Sequence, residues 1–404
     1  MKSWVKILIG LFAGTALGLL AKDKASSLWL VGKIFIDLLK MLVGILIFSS
    51  IVTGICHIHD PKRLGRIGLR SLIFFILTTI VAISTGIITT HYMGPGNQLE
   101  LMADASFIKS AETLGIYDFI KSIVPVNPFA SFVDGNILQI IIFAVFFSLA
   151  IVFSGEKGKP VLSFFESLAE IMNTLSGLIM QLAPYGVFAL IASAVGSMGV
   201  KIISPLLQFL FCCYFACAVQ LFIVFAFILR FLVKISVVWF FKGMKDAIVL
   251  AFTTSSSAAT LPVTMECVTT KLGVSKDLSG FVLSLGSTVN MNGAAIGQAV
   301  SALFIAQAYG IELTWVNIFV LIFTALFTAI GAAGVPGQGI VMLSVVLSSI
   351  GLPLEGIALV AGVDQLREMV STVVNVLGDA VAAVYIAKKE GEFELKGAKL
   401  SLQS

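Results

Sequence analysis

Residues 253–262 read Thr253-Thr254-Ser255-Ser256-Ser257-Ala258-Ala259-Thr260-Leu261-Pro262 and interrupt an apolar stretch that runs from about Ile235 to Leu272. A second interruption, Gly331-Ala332-Ala333-Gly334-Val335-Pro336-Gly337-Gln338-Gly339, cuts the stretch from about Glu312 to Ile350. Hydroxyl-bearing residues, Gly and Pro at membrane depth free backbone groups that lipid cannot satisfy. Such a break survives only where protein or a water-filled cavity meets it. Each therefore reads as a re-entrant helical hairpin with its tip at mid-membrane.

The membrane setting comes from what surrounds the breaks. Of the 404 residues, 58% are hydrophobic and only 12% charged, about half the ~25% of an average soluble chain. So few charges cannot cover a soluble surface, whereas a lipid-facing one needs almost none. Runs without Asp, Glu, Lys or Arg cover 41–59, 71–99, 135–155, 171–200, 202–229, 278–311 and 313–354, against the ~20 apolar residues of a spanning helix. Residues 3–21 form one more run around Lys6. They resemble a signal peptide, but with so many later spans they read as the first transmembrane helix. A net charge of +4 is too small to speak for nucleic acid. Cys56, Cys212, Cys213, Cys217 and Cys267 mostly lie in apolar runs and read as buried thiols rather than a disulfide framework. His57, His59 and His91 have no metal-ligand partners at useful spacing. A soluble enzyme, a disordered hub and a nucleic-acid binder are excluded; the chain is an all-α polytopic membrane protein.

Lys and Arg in short loops set orientation. Lys62, Arg63, Arg66 and Arg70 follow the second span, against Lys22 and Lys24 after the first. That places the N-terminus and the 60–70 loop in the cytoplasm. The tail from Lys388 onward, with Lys389, Lys396 and Lys399 among Glu390, Glu392 and Glu394, reads as a cytoplasmic end. Residues 94–128 form the longest extramembrane stretch, and no linker divides the chain into soluble domains.

Each hairpin is followed by a helix with its own polar interruption. Asn290-Met291-Asn292-Gly293 lies 28 residues after Pro262, and Asn375-Val376-Leu377-Gly378-Asp379 lies 39 after Pro336. A broken hairpin and an Asn- and Gly-bearing helix, occurring twice, is the duplication expected of secondary transporters with inverted repeats.

The last span holds most of the intramembrane charge. Asp364, Glu368, Thr372, Asn375 and Asp379 are spaced 4, 4, 3 and 4, which at ~100° per residue confines them to an arc of roughly 80°. Ser371 lies at its edge. A carboxylate at the centre of a membrane helix costs on the order of 2.5–3.5 kcal/mol on insertion scales, so three acids on one face are hard to explain as packing. The bland reading puts Asp364 and Glu368 near an interface, paired locally with Arg367. No cation lies within a turn of Asp379, and a lone Asp among Asn and backbone oxygens suits a small cation such as Na⁺. Arg367 either snorkels toward an interface or reaches the pocket from one turn before Ser371. The run Ser255–Ser257 either caps the short hairpin helices or meets a ligand. Hairpin N–H groups offer a seat for a carboxylate.

With these motifs in order, the chain resembles the glutamate transporter homologue family, the dicarboxylate/amino acid:cation symporters. The resemblance rests on Ser255–Pro262, Asn290–Gly293, Gly334–Gly339 and Asn375–Asp379, with Tyr185-Gly186-Val187-Phe188 upstream. It is strong from about residue 160; the first half agrees mainly in span count. An archaeal member is one of the standard examples of inverted-repeat transporters. The resemblance implies eight transmembrane helices plus two re-entrant hairpins, an elevator-type mechanism and a homotrimer. It implies scaffold helices at about 1–69 and 100–198, a transport domain at about 70–99 and 199–390, and a polar cytoplasmic tail at 391–404.

Carried over residue by residue, one sodium site would use Asp379 with backbone oxygens of Gly286, Asn290 and Asn375. A second would use backbone oxygens of Thr288, Ala329, Ile330 and Ala332. Substrate would meet Ser255, Ser257, Val335, Gly339, Glu368, Ser371, Thr372 and Asn375. A third sodium site, at Phe75, Thr78, Thr79 and Asn290, would need an Asp where this chain has Asn292. A pocket Thr is replaced by Ala294. The arginine that pairs with an acidic substrate's side chain is Ser371 here, and a serine cannot make that bidentate bond.

Glu368 stands where amino-acid carriers hold an Asp for the substrate amine, and would repel a second anionic group. The expected function is therefore import of a small neutral amino acid (serine, threonine or alanine) coupled to Na⁺, with no cofactor. The alternative is an acidic amino acid or C4-dicarboxylate, Na⁺ or H⁺ coupled, with Arg367 supplying the missing cation. An ion channel is the first rival class, disfavoured by two hairpins that speak for occlusion. An intramembrane enzyme is the second, and no His or Lys base accompanies the serine run. Without the long extracellular insertion of animal members, the expected location is a prokaryotic plasma membrane.

Overall fold

The computed structural model describes residues 3–56, 63–99, 124–134, 137–198, 202–331 and 338–393. Those residues are helical apart from turns, connecting segments and one isolated bridge between Val274 and Phe393. In lipid the helix satisfies every backbone group within its own segment. In order come α1 (Ser3–Ala21), α2 (Trp29–Cys56), α3 (Arg63–Met93), α4 (Pro128–Val133), α5 (Ile137–Phe153), α6 (Lys159–Met180) and α7 (Ala183–Met198). α8 (Ile203–Val219) continues through two wider π-helical segments, Gln220–Phe225 and Ile228–Val233. Then follow α9 (Val237–Gly243), α10 (Lys245–Thr254), α11 (Ser257–Glu266), α12 (Lys276–Val289), α13 (Asn292–Ala308), α14 (Trp315–Gly331), α15 (Gln338–Ser349), α16 (Ile357–Ala361) and α17 (Asp364–Glu390). Among the described residues, four spans are long and apolar enough to cross a membrane: Arg66–Met93, Ile203–Val233, Lys276–Ala308 and Asp364–Glu390. The third is α12 and α13 together, broken at Asn290-Met291.

The first hairpin is α10 and α11. Each arm has ten residues, about 15 Å of helix, or half of a ~30 Å hydrocarbon core. The break is narrower than the sequence implied. Ser255 closes α10 in the left-handed region with φ +51, and Ser256 opens α11 in extended conformation. The Ser256 hydroxyl accepts from the Ala259 N–H at 3.2 Å, an N-cap bond. Pro262 lies inside α11, not in the break. α14 and α15 pack together as the second pair; residues 332–337 between them, and with them Ala332 and Val335, lie outside the described residues. So do His57, His59 and the tail beyond residue 393. All five cysteines are buried and free of disulfides.

Packing sorts the helices into two groups. α1 lies along α7, and α2 lies against α5, α6 and α7. α13 packs on α3 and α17, and α17 also meets α8, α10 and α12. The groups touch where α14 and α15 meet α2, and where α16 meets α7.

Close approach of α1 to α7 depends on Gly10, Gly14 and Gly18, spaced by four on one buried face. A Cβ on Gly14 would stand 2.6 Å from the Phe188 carbonyl oxygen, and one on Gly18 2.8 Å from that of Ala192. Small residues at this spacing let membrane helices meet backbone to backbone. Gly14→Leu is expected to lower the thermal unfolding midpoint of purified protein by several degrees, an overpacking cost of about 1–3 kcal/mol. Gly177→Ala, at an exposed helical position with open space around it, is expected to be neutral or stabilising. Equal behaviour of the two variants would show that the helices do not meet on this stripe.

Candidate functional site

α17 carries the site. Its polar stripe is buried on every side: Asp364, Glu368, Ser371, Thr372, Asn375 and Asp379 are all below a tenth exposed. Asp364 does pair locally with Arg367, but inside the protein.

The first turns of α17 hold a charged cluster. The Arg367 guanidinium is buried rather than snorkelling, at 3% exposure. Its Nε and Nη2 reach Asp364 Oδ1 at 2.7 and 2.6 Å, and Nη2 stands 4.0 Å from Glu368 Oε1. Nη1 donates to the Ser371 hydroxyl at 3.4 Å. The guanidinium thus fills the place beside Ser371 where the residue itself offers no cation. Two glycines make the seat: a Cβ on Gly297 of α13 or Gly339 of α15 would run into it.

Around this cluster the two hairpins meet α17. The Gly339 N–H, in the first turn of α15, donates to Glu368 Oε1 at 3.1 Å. Helix N-termini favour carboxylates in this way, and here a protein carboxylate takes the position. From the first hairpin, the Ser255 hydroxyl accepts from Gln365 Nε2 at 2.9 Å. Ser257 is buried at the start of α11. Thr372 turns its hydroxyl back onto the Glu368 carbonyl at 2.8 Å.

About three turns beyond Arg367 and Glu368 lies a second, differently built centre. Asn290 Nδ2 donates to Asp379 Oδ1 at 2.8 Å, and Gly286 packs against the same carboxylate. The buried Asn290 Oδ1 has no hydrogen-bond partner among the described residues, and no basic side chain pairs with Asp379 there. A buried carboxylate beside an unpartnered amide oxygen is a set of acceptors without a donor, which fits a cation. Asn375 Oδ1 accepts the Gly293 N–H at 2.7 Å, and its Nδ2 points to the Met291 sulfur at 3.3 Å. Of the second ion set, Thr288 ends α12, while Ala329 and Ile330 lie buried near the end of α14, which packs on α12.

At Asn292 the structure shows a closed neutral chain. Thr79 donates to Asn292 Oδ1 at 2.6 Å, and Asn292 Nδ2 donates to the Thr78 hydroxyl at 3.3 Å. Thr78 in turn donates to the Phe74 carbonyl at 2.9 Å. Phe75 is buried beside Phe74 and has no side-chain oxygen to contribute. These residues stitch α13 to α3 with their hydrogen bonds mutually used.

Three participants escaped the sequence reading. Arg367's direction, Gln365's bond to Ser255 and the glycine seat at Gly297 all depend on neighbours far away in the chain. Only the buried register of Arg367, between Asp364 and Glu368 on the stripe, hinted at the first. Among the described residues no group of three His, Cys, Asp or Glu is placed to hold a metal ion.

The model of the sodium:dicarboxylate symporter family matches residues 4–389. The chain is 36% identical over 406 residues to the proton/sodium-glutamate symport protein of Bacillus caldotenax, covering 97% of this chain and 96% of that one. It is 36% identical over 378 residues to the proton/glutamate-aspartate symporter of Escherichia coli (strain K12), covering 91% and 86%. With the C4-dicarboxylate transport protein of Rhodospirillum rubrum it shares 32% over 408 residues, covering 99% and 91%. A family match over nearly the whole chain, carried on a helical fold whose buried charges converge on two hairpins, makes this protein a member of the sodium:dicarboxylate symporter family, an integral membrane transport protein and not an enzyme.

Proposed function

We propose that the protein imports an acidic amino acid, with glutamate and aspartate as the best-fitting solutes, coupled to Na⁺ or H⁺. The observation that carries this is the Arg367 guanidinium held against Ser371, Glu368 and the start of α15. The expectation of a neutral solute rested on Glu368 repelling a second anionic group and on Ser371 offering no positive charge. A guanidinium delivered from one turn away removes the second premise, and relatives named for glutamate, aspartate and C4-dicarboxylates favour the same direction. The cluster holds Arg367 with two acids. Asp364 takes up the charge of Arg367 at rest, leaving Glu368 to meet an amine and Arg367 to meet a side-chain carboxylate. The first turn of α15 would take the α-carboxylate. A C4-dicarboxylate is the second reading, favoured by the 32% relatives; it leaves Glu368 without an amine and so requires that acid to be protonated.

Coupling follows from Asp379. A carboxylate without a counter-charge is expensive to keep buried, so the occupied state needs Na⁺ or H⁺ there. Neutral Asn292 speaks for one fewer sodium site than the resemblance implies. We read α1, α2 and α5–α7 as the scaffold, and α3, α8, α10–α15 and α17 as the moving part of an elevator, in a homotrimer. Arg66 and Arg70 meet Glu390 at one end of the molecule, which supports both basic segments being cytoplasmic, in a bacterial plasma membrane.

In proteoliposomes, unlabelled glutamate and aspartate are expected to compete strongly with labelled glutamate, succinate weakly, and serine and alanine not at all. Serine matching glutamate would restore the neutral reading. Arg367→Lys keeps a cation for Asp364 but loses the planar fork. It is expected to raise KM for glutamate about tenfold, the loss of roughly 1.4 kcal/mol of binding, while the protein remains folded. Asp379→Asn is expected to cut cation-driven uptake by about ten- to a hundredfold, as one charge-assisted interaction of about 1.5–3 kcal/mol disappears. Unchanged rate and cation dependence would remove Asp379 from the ion site.

A further inference from the structure

Away from the polar stripe of α17, a groove of about 490 Å³ opens between α3, α8 and α17. One wall is the row Ile73, Leu77 and Val81 of α3, and the other is Val224, Ile228 and Leu232 of the widened end of α8. Both rows step by four, so each forms a continuous ridge along its helix. Ile73, Leu77, Val81 and Leu232 are between 43% and 58% exposed, an apolar face suited to hydrocarbon.

One end of the groove is different. Arg70, Lys389 and Tyr385 line it, with the Lys389 ammonium 5.9 Å from the centre of the Tyr385 ring. Arg66 and Arg70 share the single carboxylate of Glu390, and Glu392 accepts from the Ser275 hydroxyl at 2.8 Å. Counting the exposed Lys388 and Lys389, this corner sets four cations against two carboxylates. From Arg70 to Val81 the α3 wall rises about 16 Å, close to one leaflet of a ~30 Å hydrocarbon core. A groove one leaflet deep, apolar along its length and cationic at its mouth, has the dimensions and charge pattern of a single amphiphile.

We propose that this groove binds an anionic phospholipid, with the phosphate at Arg70 and Lys389 and one acyl chain between the α3 and α8 ridges. Basic pockets between membrane helices take such headgroups. The bound chain would fasten α3, α8 and α17 to one another. It would run past Thr78, which lines the groove and belongs to the Asn292 hydrogen-bond chain. The inference does not depend on which solute is carried.

The test titrates purified full-length protein in mild detergent with dioleoyl phosphatidylglycerol, dioleoyl phosphatidylcholine or glycerol 3-phosphate. Thermal unfolding and lipid retained in native mass spectrometry are the readouts. Phosphatidylglycerol is expected to raise the midpoint saturably and to stay bound, phosphatidylcholine to act at least fivefold more weakly, and glycerol 3-phosphate to do nothing. Lys389→Glu is expected to weaken phosphatidylglycerol about fivefold or more, the factor matching ~1 kcal/mol per basic residue near an anionic surface. Leu77→Trp, which fills the groove from an exposed position, is expected to weaken both lipids. Should Lys389→Glu fail to fold, Lys389→Gln carries the same test with a smaller loss. Equal stabilisation by the two lipids would overturn the headgroup site. Stabilisation by glycerol 3-phosphate alone would make it an anion site without a chain, and unchanged affinity in the variants would place the lipid elsewhere.

Discussion

Charge in a low-dielectric interior must be paired, neutralised or wrapped in hydrogen bonds, and the architecture around α17 meets that demand in two ways. Near the start of the helix, Arg367 holds Asp364 directly and stands beside Glu368. About three turns later, Asp379 has a single amide donor and an unpartnered amide oxygen for company. The first centre is electrically provided for by the protein itself. The second offers acceptors without a matching donor, and the proposed coupling rests on it.

The broken helices serve the same constraint. Only backbone released from a helix can offer N–H and C=O groups to a ligand, and only inside protein can it remain so at membrane depth. Ser256 caps α11 while Ser255 in the left-handed region reaches Gln365. Gly339 lends the first turn of α15 to Glu368. Both hairpins are thereby fastened to α17 through side chains that a solute of matching charge would compete for, and a ligand shifts an equilibrium by as much as its affinity for the two states differs.

Much of this was legible in the chain. The one-face stripe that ends in Asp379 followed from spacing, and the approach of Asp379 to Asn290 was what the family resemblance implied. The replacement of an acid by Asn292 was equally readable, and the structure shows its consequence as a neutral chain with Thr78 and Thr79. Arg367 was not readable. A long basic side chain near a helix end is compatible with snorkelling outward or turning inward, and the choice was made by Gly297 and Gly339, which come from two other helices. The acidic-solute alternative gains its support over the neutral one at that point. The first break was misjudged for a similar reason: Pro262 suggests a stop, but six residues into α11 it is tolerated inside the helix.

The sequence by itself determined the membrane class, the polar face of α17 and the family, because each is written in composition, in short-range spacing or in local motifs. The tertiary structure alone decided where Arg367 points, which hairpin groups it and Glu368 engage, and that α3, α8 and α17 leave a basic-mouthed groove between them. Those features arise from side chains and helix faces brought together across separations from 29 to 320 residues. Spacing along one helix says which residues share a face, and only packing says what that face meets.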